Sequence, residues 1–383
     1  MKNKFLAHKY KENENNLMSE TANLKNKFKD IIDLSLGDPD IITDKSIIQT
    51  AFKDTKKGYT RYSDPTGDKE LIEGIINFYK KDRNISFKKN EIMAVVGACH
   101  GMYLALQSII NPGEEVIVHS PYFTPYKEQI EMVGGKFIEF ETLEEDEFNI
   151  NPKKLEKLIN NKTKAIVLNS PNNPTGAFFS KELLKEIAKI AIENDLVIIS
   201  DEVYDGFTYY EDFCSIASLE GMKERTITLG SFSKDFCMTG WRIGYVAAPD
   251  YIINTMKNIN EGICFSAPTI SQRAAIYALK NRDNIVDKIK KEFRERMEYA
   301  YSKIESMPKL SAFKPKAGIY IFANIKETGK SSEEFCDELL NKAHIVAIPG
   351  KAFGKYGEGY IRIACTVGLE ELEQAFDRIQ KIL

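Results

Sequence analysis

RTITLGSFSKDFCMTGWRIGYVAA, residues 225–248, sets two short runs of β-branched and small apolar residues, RTITLG (225–230) and IGYVAA (243–248), around a polar turn that carries Lys234 and Arg242. A run that is apolar on both faces has no solvent side, so it belongs to a strand covered by helices above and below. Working outward, the same kind of run recurs as EIMAVV (91–96), EEVIVH (114–119), KAIVLN (164–169) and LVIIS (196–200), with amphipathic helical patterns in between. Strands alternating with helices predict a large, mostly parallel sheet flanked by helices, an α/β fold. Beyond it a charged helical stretch over roughly 282–306 stops near Pro308 and gives way to strand-like GIYIFANI (318–325), a helix, HIVAIPG, YIRIAC and a last amphipathic helix. This change predicts a smaller α+β domain. The expected organisation is a segment 1–43 that packs with the small domain, a large domain 44–285 and a small C-terminal domain 286–383, closely packed around a shared cleft. Residues 1 to about 30 are rich in Lys, Asn and Glu and weakly patterned, and the first clear structural signal is Leu34 to Pro39.

The 383 residues include 53 basic and 56 acidic side chains spread along the whole length, which removes the basic footprint of a nucleic-acid binder. Hydrophobic residues at 43% and charged residues at 28% place the chain among ordinary globular proteins with a sizeable core. The six cysteines stand singly, with no CxxC pair and no His at metal-ligand spacing, so free thiols and no metal are expected. The N-terminus has no apolar h-region and no apolar run reaches the length of a membrane span. The expected location is cytoplasmic, without a membrane partner.

The loops that leave the strands are unusually polar. They read Gly97-Ala98-Cys99-His100, Pro121-Tyr122-Phe123, Ser170-Pro171-Asn172-Asn173-Pro174-Thr175-Gly176, Asp201-Glu202-Val203-Tyr204 and Ser231-Phe232-Ser233-Lys234. All follow the carboxyl ends of strands, the edge of an open α/β sheet where ligands bind, so five loops are expected to meet at one site. A lysine held there in a dry pocket can lose its proton and condense with a carbonyl. Taken alone, Asp201 also reads as a turn or N-cap residue and Asn173 as a turn former.

The block SFSK…TGWRIGY, preceded in order by PNNPTG and DEVY, resembles the fold-type I pyridoxal-phosphate enzymes, specifically the class I/II aminotransferases, from about Leu34 to the C-terminus. The resemblance implies amino-group transfer between an L-amino acid and a 2-oxo acid by a ping-pong route. A C–S β-lyase on the same fold and a non-catalytic cofactor-sensing domain remain alternatives. On this resemblance Lys234 is the Schiff-base lysine and the general base, and Asp201 pairs with the pyridinium nitrogen, keeping it protonated. Tyr204 and Asn173 donate to the cofactor's phenolate oxygen, Asn173 also bordering the substrate, and Phe123 stacks on the ring. Gly97, Ala98 and Cys99 open a helix whose N-terminus faces the phosphate, with Ser231, Ser233 and Arg242 completing the cup. Cys99 departs from the family, whose second and third cradle positions are usually Gly, Ser, Thr or Lys, so its backbone amide is the expected contact. Arg362, in YIRIA, matches the arginine that binds the substrate carboxylate, with Gly37 of SLGDPD beside it. Tyr62, in GYTRYSDPTG, matches a tyrosine that reaches the phosphate of a neighbouring subunit, which implies a homodimer with shared active sites. Ser266 is placed toward the partner as well. Gly262 stands where a dicarboxylate-specific enzyme can carry an arginine, which leans toward neutral or aromatic amino acids as one partner and 2-oxoglutarate or pyruvate as acceptor.

Overall fold

The computed structural model describes residues 5–7, 24 and 27–383, so most of the weakly patterned N-terminal stretch lies outside the described residues. Its strands are β1 (Ile32–Asp33), β2 (Ile92–Val95), β3 (Glu115–Ser120), β4 (Lys136–Glu141), β5 (Thr163–Asn169), β6 (Val197–Asp201), β7 (Thr226–Ser231), β8 (Gly244–Ala247), β9 (Ser311–Ala312), β10 (Tyr320–Asn324), β11 (Ile345–Val346), β12 (Ile348–Pro349) and β13 (Tyr360–Ala364). Seven of them form one sheet in the order β2-β8-β7-β6-β5-β3-β4. Strands β3 to β7 run parallel, and β8 lies antiparallel to both its neighbours. This is the α/β sheet read from the sequence, with one strand added. β4, KFIEFE, went unread because it is an edge strand whose charges alternate with apolar residues and whose outer side is only partly covered. β2, β3 and β8 are buried at every position, which is why they read as largely apolar runs.

A second, antiparallel sheet has the order β12-β13-β10-β9. The short β1 pairs in parallel with β11, Ile32 opposite Ile345 and Asp33 opposite Val346, and Ala364 of β13 donates to the carbonyl of Leu34. Gly37 and Arg362 are thus held within one hydrogen-bonded unit. The helix Arg282–Glu305 is continuous through residue 285, where the change of pattern was expected. Its Val286 packs in the core that holds Phe232 and Phe236, whereas Ile289 and Phe293 pack with Phe207, Ile321 and Ile363. The helix therefore starts in one core and continues into the other, a rigid joint rather than a linker. Among the described residues no helix is long and apolar enough to cross a membrane.

Candidate active site

The carboxyl ends of the parallel strands converge on a cavity of ≈ 230 Å³, whose lining includes Gly37, Ala98, Cys99, Phe123, Asn173, Asp201, Tyr204, Ser231, Ser233, Lys234, Arg242 and Arg362. Asp201 is the last residue of β6 and Ser231 the last of β7, and Lys234 follows three residues on in a tight turn. That turn is closed by backbone bonds from Cys237 to Lys234 and from Met238 to Ser233 and by the Ser233 amide donating to Ser231 Oγ at 3.1 Å. The Lys234 ammonium donates to the carbonyl of Gly37, which spans from the large sheet to the unit that carries β1. A Cβ at Gly37 would stand 1.8 Å from the Tyr320 hydroxyl, so only glycine allows this approach.

Two charges here lack the partners that buried charges normally have. Arg362, 1% exposed, donates to Asn173 Oδ1 at 3.0 Å and to the carbonyl of Ser35, both neutral, and its Nε has no hydrogen-bond partner among the described residues. Its guanidinium lies 4.5 Å from the centre of the Tyr320 ring. Burial pulls its pKa down from the ordinary arginine value. Asp201 accepts from the Tyr126 hydroxyl at 2.6 Å and the Val203 amide at 3.3 Å. Burial outweighs those bonds and raises its pKa to about 6. A buried guanidinium facing neutral oxygens is matched by an incoming carboxylate, and a buried carboxyl facing hydroxyls by an incoming cation.

At one end of the cavity the helix Gly97–Ile109 begins without a capping side chain, so its first-turn amides are open to an anion. Arg242, with φ of 50°, lies over that end, and a Cβ on Gly97 would come within 2.6 Å of its Nη2. Ser231 and Ser233 also line the cavity. Asn173 has its side-chain oxygen held by Arg362, which leaves its NH2 as the end free to donate. The Tyr204 and Tyr320 hydroxyls lie 2.9 Å apart. Phe123 meets Tyr126 edge-on, with ring centres 5.6 Å apart. Cys99 is exposed toward the cleft, and its carbonyl accepts from Gln129 Nε2 at 2.8 Å.

Two residues picked from the sequence are not gathered in. Tyr62 is 85% exposed and stacks edge-on against Phe265, and neither it nor Ser266 lines the cavity of its own chain. Residues the sequence reading passed over are Tyr126, which binds Asp201, Tyr320, which touches Tyr204 and underlies Arg362, and Gln129. Tyr126 stands three residues past Phe123, in the first turn of the helix Pro125–Met132. Tyr320 inside GIYIF reads only as core.

The profile of the family described as aminotransferase class I and II matches residues 29–379. The chain is 43% identical over 359 residues to an aspartate aminotransferase of Pyrococcus abyssi, which spans 93% of this chain and 92% of that one. It is 41% identical over 358 residues to aromatic-amino-acid aminotransferase 2 of Thermococcus litoralis, spanning 92% of each. Among solved structures, an aromatic aminotransferase from Pyrococcus horikoshii superposes with a TM-score of 0.91 at 40% identity, over 96% of this chain and 98% of that one. A mutant of the Thermus thermophilus aspartate aminotransferase superposes with a TM-score of 0.94 at 30% identity, over 99% of each.

Proposed function

Because the chain belongs to the class I and II aminotransferase family and is an aminotransferase, we infer that it works with pyridoxal phosphate seated between Asp201, Lys234 and the open end of the helix Gly97–Ile109. The donor set fits that group. The observation that carries the reading is the pair of uncompensated buried charges, Arg362 without a carboxylate and Asp201 without a cation, in one cavity with Lys234. The glycine at 97, where a side chain would strike Arg242, leaves backbone amides and guanidinium room to hold a phosphate between them.

When bound, pyridoxal phosphate supplies a carbonyl that condenses with amines and a ring that takes up electron density from an amino-acid Cα. Asp201, ionised against the ring nitrogen, keeps that nitrogen protonated. The Lys234 amine would hold the cofactor and, once an amino acid has taken that place, would be the base that accepts and returns the proton at the substrate Cα. Asn173 and Tyr204 donate to the ring's phenolic oxygen, and Phe123 covers the ring. Arg362 grips the substrate α-carboxylate beside Gly37, fixing which bond at Cα faces the ring. The same cleft serves donor and acceptor in turn, so the route is ping-pong. Among the described residues the lining holds no cationic side chain other than Lys234, Arg242 and Arg362. We therefore take a neutral or aromatic amino acid as one partner, with 2-oxoglutarate or pyruvate as acceptor.

The site is completed by a second copy in this reading. Tyr62 projects from the chain against exposed Phe265, and Tyr59 and Ile263, close to them in sequence, are exposed too, apolar side chains suited to the same face of another subunit. Borohydride treatment of the yellow protein, followed by peptide mapping, should place a pyridoxyl group on Lys234. A screen of amino donors against the two acceptors should yield a 2-oxo acid and a new amino acid. Label on another lysine would overturn the site assignment, and ammonia with pyruvate as products would make the protein a lyase.

A further inference from the structure

Directly after Lys234 the chain turns away from the cleft into a buried knot of charge. Asp235 is 3% exposed and its carboxyl meets that of Asp205. Arg282 Nη2 reaches Asp235 Oδ2 at 3.3 Å, while Oδ1 has no hydrogen-bond donor among the described residues. Asp205 is bound by Arg83. The approach is so close that a Cβ on Gly206 would lie 2.6 Å from the carboxyl atoms of Asp235. Facing the knot from the other packed elements are Asp82, 3.9 Å from Arg282, and the buried hydroxyls of Tyr79 and Tyr245. Glu202 also faces it, its carboxyl taking bonds from the Ser200 and Ser215 hydroxyls at 2.9 and 2.7 Å.

Counting charge decides what the two aspartates do. Arg83 pairs with Asp205, and Arg282 reaches Asp235 at 3.3 Å and Asp82 at 3.9 Å, with exposed Lys81 also 4.0 Å from Asp82. Three buried carboxyls, Asp205, Asp235 and Glu202, thus face two largely buried guanidiniums, so they cannot all be ionised with a cation each. Two carboxyls face to face, one with an oxygen that has no other donor, are joined by a proton that one of them carries. Burial, and then the charge of Asp205, pushes Asp235 up to about 8, and burial does the same to Glu202. Burial would raise Asp205 too, but Arg83 and Arg282 outweigh it and hold Asp205 below the usual carboxylate range. Asp205 is therefore the anion and Asp235 the proton carrier.

We propose that Asp205 and Asp235 form a hydrogen-bonded carboxyl clamp that ties the Lys234 turn to the loop carrying Asp201 and Tyr204 and, through Arg282, to the helix that runs into the C-terminal sheet, which makes Asp235 a positioning residue for the Lys234 amine. The proposal rests on Lys234 holding the cofactor. Arg282 opens that helix, and Arg83 ends the run from the helix Lys69–Asp82, so four separate elements meet at one shared proton. When Asp235 ionises, two like charges face each other and the Lys234 turn loses its anchor.

The test compares the wild-type holoenzyme with Asp235→Asn, whose amide can donate to Asp205 as the acid does, and with Asp235→Ala, which cannot. An acid with a raised folded-state pKa holds its proton more tightly when folded. Its stabilisation relative to the unfolded chain is present below the unfolded value near 4 and is lost as pH rises toward about 8. In thermal melts the wild type should therefore fall behind Asp235→Asn by a few degrees between pH 5 and 8. The wild-type kcat/KM should decline above pH 8, and that limb should move up by at least about one pH unit in Asp235→Asn. At pH 7 Asp235→Ala should lose roughly tenfold or more in kcat with little change in amino-acid KM, and Asp235→Asn should recover most of that loss. Parallel melting curves with identical pH profiles in wild type and Asp235→Asn would overturn the clamp, as would an Asn variant as impaired as the Ala one. If Asp235→Ala does not fold, the Asn comparison still decides. Borohydride label on a lysine other than Lys234 would instead overturn the cofactor reading, and the positioning role with it, whatever the melts show.

Discussion

Two arginines of the cavity differ in what surrounds them, and that difference assigns them different losses. Arg242 lies at an open helix end and Arg362 is buried against neutral oxygens. Arg242→Ala should weaken pyridoxal phosphate and leave the amino-acid KM of the saturated enzyme nearly unchanged. Arg362→Ala should keep the cofactor and raise the amino-acid KM by roughly 10²-fold or more, the loss of a charge-assisted fork. Cofactor titration and steady-state kinetics on both variants check this, and indistinguishable phenotypes would show one of the two misplaced. Asp201 adds a pH dependence of defined sign. With its pKa raised to about 6 by burial, the carboxyl is protonated below that pH, and a protonated acid does not attract a pyridinium cation. Cofactor affinity should therefore fall as pH drops through about 6, and Asp201→Asn should bind weakly with a flat profile, measured by absorbance titration from pH 5 to 8. Lys234 and Arg242 were legible in the polar stretch between two apolar runs, whereas Asp201 and Asn173, which alone read as turn or cap residues, were singled out only through the resemblance carried by PNNPTG, DEVY and SFSK. Tyr126 and Tyr320 were not legible, since Tyr320 between apolar neighbours is explained by packing alone, and only the fold sets Tyr126 against Asp201.

At the scale of elements, the helix Gly97–Ile109 is the part on which the anion end depends. Gly97 has φ of 76°, a backbone that a side chain resists, and a Cβ there would displace Arg242. Gly97→Ala should lower stability by about 1–3 kcal/mol from backbone strain and should lower cofactor affinity further. Melting of the cofactor-free protein and cofactor titration separate the two effects. A variant that binds cofactor as tightly as the wild type would mean that the helix end is not where the phosphate sits. Buried strands were readable because the parallel sheet is covered on both sides, whereas β4 and the two-residue pieces β1, β11 and β12 are too short or too half-exposed to leave a periodic trace. The helix Arg282–Glu305 was legible as a helix. That it belongs to two cores at once was not, because a periodic apolar face says what is buried and not against which neighbour.

For the whole molecule, the exposed Tyr62 makes a claim about two chains. If sites are shared, a variant broken at Lys234 and one broken at Tyr62 by a bulky substitution should complement each other. A hybrid dimer then has one site with both lesions and one with neither, and activity should return after subunit exchange. No recovery in a mixture shown by mass to contain hybrids would mean that Tyr62 serves its own chain.

The pairing of β1 with β11 has a further consequence during synthesis. Ile32 and Leu34 are made before any strand of the large sheet, but the carbonyls that receive their amides, on His344 and Val346, are made only after all of that sheet. The strand that carries Arg362 is later still. A nascent chain can assemble the large sheet as β2 to β8 emerge, and with it the cleft's cofactor end, while its grip on an amino-acid carboxylate has no scaffold. The growing polypeptide is thus able to harbour a lysine in its cleft long before it is able to choose what that lysine meets, and the interval closes only when β11 and β13 have also been made.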